Sequence, residues 1–141
     1  MNLMKGGAFI LPANAYKAYQ RNSILTATQG ELTLMLYNGC IKFIRQARMA
    51  IDNHDIAGKN TYLQKAQAII SELMATLDQK QPIAQEMMRL YDFVNRSLIA
   101  VNMKDDRKLL DSAENIMVMF RDTWKQVIEI TQKKQPKRDR V

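Results

Sequence analysis

Thr28-Gln29-Gly30-Glu31-Leu32, running on through Leu36-Tyr37-Asn38-Gly39, is the stretch that decides the fold. Thr28 and Glu31 stand at capping-box spacing: the Thr hydroxyl accepts the backbone N–H at the third helical position, and the Glu carboxylate reaches back to the cap N–H. Behind them Leu32, Met35, Leu36, Gly39, Phe43, Ala47 and Ala50 recur at the three-and-four spacing of one helix face. The pattern predicts a helix over 29–51, broken by Asp52-Asn53-His54-Asp55. Gly39 in mid-helix costs roughly 1 kcal/mol relative to Ala, which is tolerable where two backbones come close.

Three further helices follow. The second is expected over 56–78, with Tyr62, Ala66, Ile69, Leu73 and Leu77 as its stripe. Gln79-Lys80-Gln81 is a short connection, and Pro82 suits the first turn of the third helix, where its missing N–H would be unpaired anyway. That helix shows Ile83, Met87, Leu90, Tyr91, Val94, Leu98 and Val101. Residues 102–104 link it to the fourth, with Asp105 or Asp106 as cap. Leu109, Ala113, Ile116, Phe120, Trp124 and Val127 carry the last helix to about Ile130. No segment alternates with period two. Four helices of some twenty residues with tight links predict an all-α protein, an antiparallel up-down four-helix bundle. The bundle is expected over 28–131, preceded by a mobile N-terminal arm over 1–27 and followed by a basic, disordered C-terminal tail over 132–141. The apolar faces are wide: Leu63, Ile70, Met74, Met88, Ile99, Leu110 and Met117 flank the main stripes, as core of a wide-faced helix or as walls of partner grooves. Ten Met in 141 residues favour a surface that repacks around an imperfect apolar ligand.

Composition narrows the function. There is no long apolar run: Ala8-Phe9-Ile10-Leu11 is halted by Pro12, far short of the roughly 20 residues of a membrane-spanning helix. Ala13-Asn14-Ala15 imitates a signal-peptidase site, but the apolar stretch before it is too short. The expected location is cytoplasmic, without membrane insertion. The single Cys40 excludes an internal disulfide and, with one His, a Cys/His zinc cage. The net charge of +7 is weighted to the C-terminus, where Lys133, Lys134, Lys137, Arg138 and Arg140 crowd with Asp139 as the only acid among them, so the bundle itself shows no evident basic stripe.

No catalytic set emerges, and the expectation is a non-enzyme with no cofactor, metal or small-molecule substrate. Glu-x-x-His, the di-iron bundle signature, does not occur. Glu72, Glu86, Glu114 and Glu129 read as solvated surface. Cys40 lacks a basic neighbour and reads as a small buried thiol. His54 falls in a breaker cluster whose acids would repel phosphate, against a phosphotransfer role. Lys65 and Glu72 on the second helix and Tyr91, Asp92 and Asn95 on the third, together with Asn102, are candidates to bond the backbone or ends of a bound helical segment; ordinary helix-surface polarity is the alternative.

At this point the residues resemble the FliS-type flagellin export chaperones. The likeness rests on Tyr19-Gln20, Thr26-Ala27, Leu34-Met35-Leu36-Tyr37-Asn38-Gly39, Lys65-Ala66, Ile69-Ile70, Glu72-Leu73, Leu77-Asp78, Leu90-Tyr91-Asp92-Phe93, Leu98 with Asn102, and Arg121 with Trp124. The ordered set spans 16–124. It departs from the family at Thr28-Gln29, where Ser-Pro is usual, at Asn38, where Asp is usual, and at Gln81-Pro82, where a Gly is usual. The resemblance implies a cytosolic chaperone that holds the disordered C-terminal region of flagellin, prevents premature filament polymerisation, and delivers it to the flagellar type III export apparatus, with an export gate component as a further partner. It also implies that the N-terminal segment, here Tyr16, Tyr19 and Ile24, covers the groove until flagellin displaces it. Within that reading Ile69, Leu73, Leu77, Leu90, Val94 and Leu98 are expected on or beside a groove between the second and third helices, with Lys65, Glu72, Tyr91, Asn95 and Asn102 as its polar contacts. The chain is expected to be a monomer or weak homodimer. A competing class is nucleic-acid binding through the basic tail, which would collapse with salt.

Overall fold

The computed structural model describes residues 28–134. The expected arm, with Tyr16, Tyr19 and Ile24, and most of the expected tail lie outside them. Four helices occupy the described chain: α1 (Gln29–Asp52), α2 (Ile56–Thr76), α3 (Ala84–Lys104) and α4 (Arg107–Lys134). They form the up-down bundle, packed in the cyclic order α1, α2, α3, α4 and back to α1.

Several helix ends have a local chemical cause. Thr28 caps α1 as a complete capping box: its hydroxyl accepts from Glu31 N, and the Glu31 carboxylate accepts from Thr28 N. His54 takes a left-handed conformation (φ 55°) that ends α1, exposed and off any helix face. Asp55 then caps α2, its carboxylate accepting from Gly58 N at 2.9 Å. Asp105, also left-handed (φ 54°), ends α3. The Asp106 carboxylate accepts from Lys108 N and Leu109 N and so caps α4.

Three boundaries differ from the sequence reading. First, α2 stops at Thr76, because the Asp78 carboxylate accepts from Lys80 N and Gln81 Nε2 and turns the chain there. Those bonds, the one from Lys80 N foremost, hold its pKa below the usual carboxylate value. Pro82 lies in the turn ahead of α3, closed by Ala84 N donating to Gln81 O, and not in the first helical turn. Second, 102–104 is helical, so the α3–α4 link is only Asp105-Asp106. Third, α4 continues past Ile130 to Lys134.

The core is continuous. Leu36, Cys40, Phe43, Ile44 and Ala47 of α1 meet Leu63, Ala66, Ile70 and Leu73 of α2, Val94, Leu98 and Val101 of α3, and Leu110, Ala113, Met117 and Phe120 of α4. Of the flanking residues, Leu63, Ile70, Leu110 and Met117 are fully buried and Met74 and Met88 half-buried, whereas Ile99 is 44% exposed. Cys40 is buried, its thiol directed at Ala66 O, and burial pushes its pKa up. Gly39 is buried too, one turn before Phe43, which stacks on Tyr62 of α2.

Candidate functional site

A four-helix ring has four seams, and here they differ sharply. The α1–α4 seam is closed by ions. Arg45 bonds Glu114 at 2.8 Å, and Arg48 bonds both Glu114 at 2.5 Å and Asp111 at 2.6 Å. Arg107 pairs with Asp52 at the end of the same seam. Glu114 is therefore a half-buried hub and not the solvated acid the sequence suggested. Burial works to raise its pKa, but the hydrogen bonds from Arg45 and Arg48 prevail and lower it.

The α1–α2 seam is filled by rings. Phe43 and Tyr62 stack with centroids 6.5 Å apart, and Lys65 Nζ lies over both, 5.6 Å and 5.8 Å from the centroids. Glu72 falls two turns further along the same side of α2, where burial raises its pKa. Lys65 and Glu72 thus belong to the α1 side of α2, not to the α2–α3 groove in which the sequence reading placed them.

The α2–α3 seam holds one cross-helix hydrogen bond, Asn102 Nδ2 to Asn60 Oδ1 at 2.8 Å. At its end buried Lys59 reaches Asp105 at 2.6 Å. Asn95, at the next helical repeat, is half-buried on this flank, and Ile56, Ile99 and Met103 stand exposed beside it.

The α3–α4 seam is apolar. Among the described residues no side-chain hydrogen bond or ion pair crosses it. Leu90 and Phe93 lie on the flank of α3 opposite Asn95 and Asn102. Ile116 and Met119 lie on the flank of α4 away from Asp111 and Glu114. Asp105-Asp106 is a two-residue link, so Phe93 stands level with Val118, between Ile116 and Met119. Leu90 and Ile116 are half-buried, while Phe93 is 36% and Met119 48% exposed. Among the described residues, the outer face of α3 between the two seams carries the local pairs Arg89–Glu86 and Arg96–Asp92.

The predicted groove residues therefore divide. Ile69, Leu73, Tyr91, Val94 and Leu98 are core, each 3% exposed or less. Leu77 and Leu90 are half-buried against that core. Asn95 and Asn102 do line the α2–α3 seam. Phe93, Met103 and Met119 were not singled out as site residues, and their signal was present: large apolar side chains outside the main stripe. No group of three or more His, Cys, Asp or Glu able to hold a metal ion occurs among the described residues, and no helix among them is long and apolar enough to cross a membrane.

Comparison with known proteins supplies the context. The family model for "Flagellar protein FliS" matches residues 12–131. The chain is 50% identical over 120 residues to the flagellar secretion chaperone FliS of Bacillus subtilis, covering 85% of this chain and 90% of that protein. It is 30% identical over 122 residues to the flagellar secretion chaperone FliS of Salmonella typhimurium, covering 82% and 90%. The corresponding protein of Vibrio cholerae is 30% identical over 116 residues, covering 80% and 85%.

Proposed function

The chain belongs to the FliS family of flagellar secretion chaperones, and we propose that its client is flagellin, held by its C-terminal region in the cytoplasm before export. The observation that carries this reading is the unbonded apolar α3–α4 seam, with Phe93 and Met119 standing open over half-buried Leu90 and Ile116. An amphipathic client helix laid there buries its apolar face at about 25 cal/mol per Å². Met at the rim adapts to an imperfect ligand surface. A client that is unfolded when captured loses chain entropy on binding, which keeps affinity moderate for the area covered and lets it be released.

The α2–α3 seam on the other flank of α3 offers a second strip, with Asn95 and Asn102 as bonds for client backbone beside Ile99 and Met103. Lys65 and Glu72 offer polar contacts over α1 and α2 to a client that wraps further. Ile69, Leu73, Leu77, Tyr91, Val94 and Leu98 form the floor that shapes these strips. In the same reading Tyr16, Tyr19 and Ile24 belong to an N-terminal cap that flagellin displaces, and handover is to an export gate component.

Titration calorimetry of the full chain with the C-terminal segment of its own organism's flagellin tests this. Binding with a clearly negative heat-capacity change is expected. Phe93→Ser and Met119→Ser should each weaken binding about tenfold, the loss of one well-buried apolar contact. Absence of binding, or full binding by both variants, overturns the flagellin assignment or the seam respectively.

A further inference from the structure

The single cysteine of the chain is closed to oxidants. Cys40 is 0% exposed, with its Sγ directed at Ala66 O. Burial pushes the thiol pKa up, so no thiolate forms to react. A thioether needs no deprotonation and reacts wherever an oxidant can reach it. Among the described residues three methionines stand in solvent: Met49 is 61%, Met103 75% and Met119 48% exposed. Met117, turned about 200° around α4 from Met119, is fully buried.

The three differ in what lies beside them. Met49 is on α1, which the ring order sets diagonally from α3. Met103 borders the α2–α3 seam, where the amides of Asn60 and Asn102 can donate to an added oxygen. Met119 borders the α3–α4 seam, which no side-chain hydrogen bond or ion pair crosses among the described residues. An oxygen added to Met119 Sδ would stand at the rim of a strip made of Leu90, Phe93 and Ile116, whose side chains carry no donor. In the free chain water solvates that oxygen. The apolar face of a client helix strips the water away, and burying a polar group without a partner is costly. Oxidation thus turns an adaptable apolar contact into a polar, chiral one where the seam is least able to accept it.

We propose that Met119 is a modification site, whose oxidation to the sulfoxide by peroxide lowers the chain's hold on its client. This rests on the α3–α4 seam being the client strip. In the step the peroxide O–O bond breaks, one oxygen bonds to Sδ, and the other leaves as water. The sulfur gives up two electrons and the peroxide takes them. A methionine sulfoxide reductase reverses the change, two thiols supplying the electrons and the oxygen leaving as water. The bundle stays folded in both states, because Met119 is outside the core.

Treating the full chain with hydrogen peroxide, removing the excess with catalase, and then titrating in the C-terminal segment of its own organism's flagellin tests it. Peptide mass spectrometry maps the oxidised methionines. Sulfoxide is expected at Met119 as well as Met49 and Met103, with Met117 intact. Affinity should fall by about tenfold, as for the loss of one well-buried apolar contact. Met119→Leu keeps the apolar bulk and, treated alike, should hold its affinity within about twofold. Methionine sulfoxide reductases acting on both epimers should restore binding by the oxidised parent. A thioether surviving at Met119 while Met49 and Met103 are oxidised overturns the proposal. So does undiminished binding by the oxidised chain, or an equal loss in Met119→Leu, which would assign the effect to another methionine or to unfolding. Absence of binding by the untreated chain is a different result: it overturns the client reading, and this proposal with it.

Discussion

The hydroxyls of Tyr37 and Tyr91 meet at 2.6 Å inside the bundle, tying α1 to α3 across its diagonal. Both side chains are 2% exposed, and Phe120 of α4 lies against both rings, at 5.7 Å and 5.0 Å between centroids. Burial raises both phenol pKa values, so the pair stays neutral, one hydroxyl donating and the other accepting. Tyr91→Phe strands the Tyr37 hydroxyl in the core, at about 1–3 kcal/mol. Tyr37→Phe does the same in reverse. The double variant removes both groups together and should cost clearly less than the sum. Urea unfolding of the four proteins gives the cycle, and strict additivity would show that the bond contributes nothing.

Glu114 predicts the acid branch of stability. Against the opposing effect of burial, Arg45 and Arg48 hold its carboxyl below the usual carboxylate range. A carboxyl lowered in the folded state contributes stability that is present above its unfolded pKa and is lost as pH falls through the folded one. Glu72 runs the other way: burial raises it, so its contribution favours the fold at low pH and fades as pH rises. Glu114→Gln should therefore be less stable at neutral pH by about 1–2 kcal/mol, between exposed and fully buried pairs. Its curve should converge with that of the parent chain as pH falls through the lowered folded-state pKa of Glu114. A constant gap between the two unfolding profiles down to pH of about 2 would sink the ion-hub account.

These cases also mark where sequence stops being informative. The capping box at Thr28 and the stripes from Leu32 to Val127 are local signals, read within one or two turns, so four helices and their antiparallel order were legible. Glu114 was not, because its partners Arg45 and Arg48 are 69 and 66 positions away and a helix wheel shows only a polar face. The same limit misplaced Lys65 and Glu72: periodicity says that they leave the core stripe, but not which neighbour that flank will face. Pro82 reads as a helix start because its missing N–H would be unpaired there, whereas the Asp78 carboxylate turns the chain first and leaves Pro82 two residues ahead of the helix. Phe93 is visible as an apolar residue off the stripe, and what gives it a meaning is that, among the described residues, no side-chain polar bond crosses between α3 and α4.

Trp124 is the single Trp of the chain and reports on the joint between α1 and α4. Its Nε1–H donates to Gly30 O at 2.8 Å, two residues after the Thr28 cap. Thr28→Ala removes the hydroxyl acceptor and should cost about 1 kcal/mol. It should also loosen the first turn of α1, so Trp124 emission should shift to the red while the far-ultraviolet helix signal changes little. Trp124→Phe loses the bond to Gly30 at a comparable cost of about 1 kcal/mol. An unshifted emission in Thr28→Ala would mean that the cap and the indole contact are independent.

Gly58 is the place where a substitution that should favour a helix is expected to fail. Ala at an exposed helix position gains about 1 kcal/mol over Gly. Here a Cβ on residue 58 would run into Asp55 Oδ2 and stand 2.8 Å from its Cγ. The carboxylate must swing away, and that breaks its bond to Gly58 N, the cap of α2. The lost cap is worth about 1 kcal/mol, so Gly58→Ala should be close to neutral. Asp55→Ala alone should destabilise by about 1 kcal/mol. In the Asp55→Ala background nothing remains to displace, and Gly58→Ala should then recover most of its propensity gain. Thermal unfolding of the three variants decides it: a full gain from Gly58→Ala with Asp55 in place would show that the cap tolerates the methyl group, and the geometry at the start of α2 would have to be read differently.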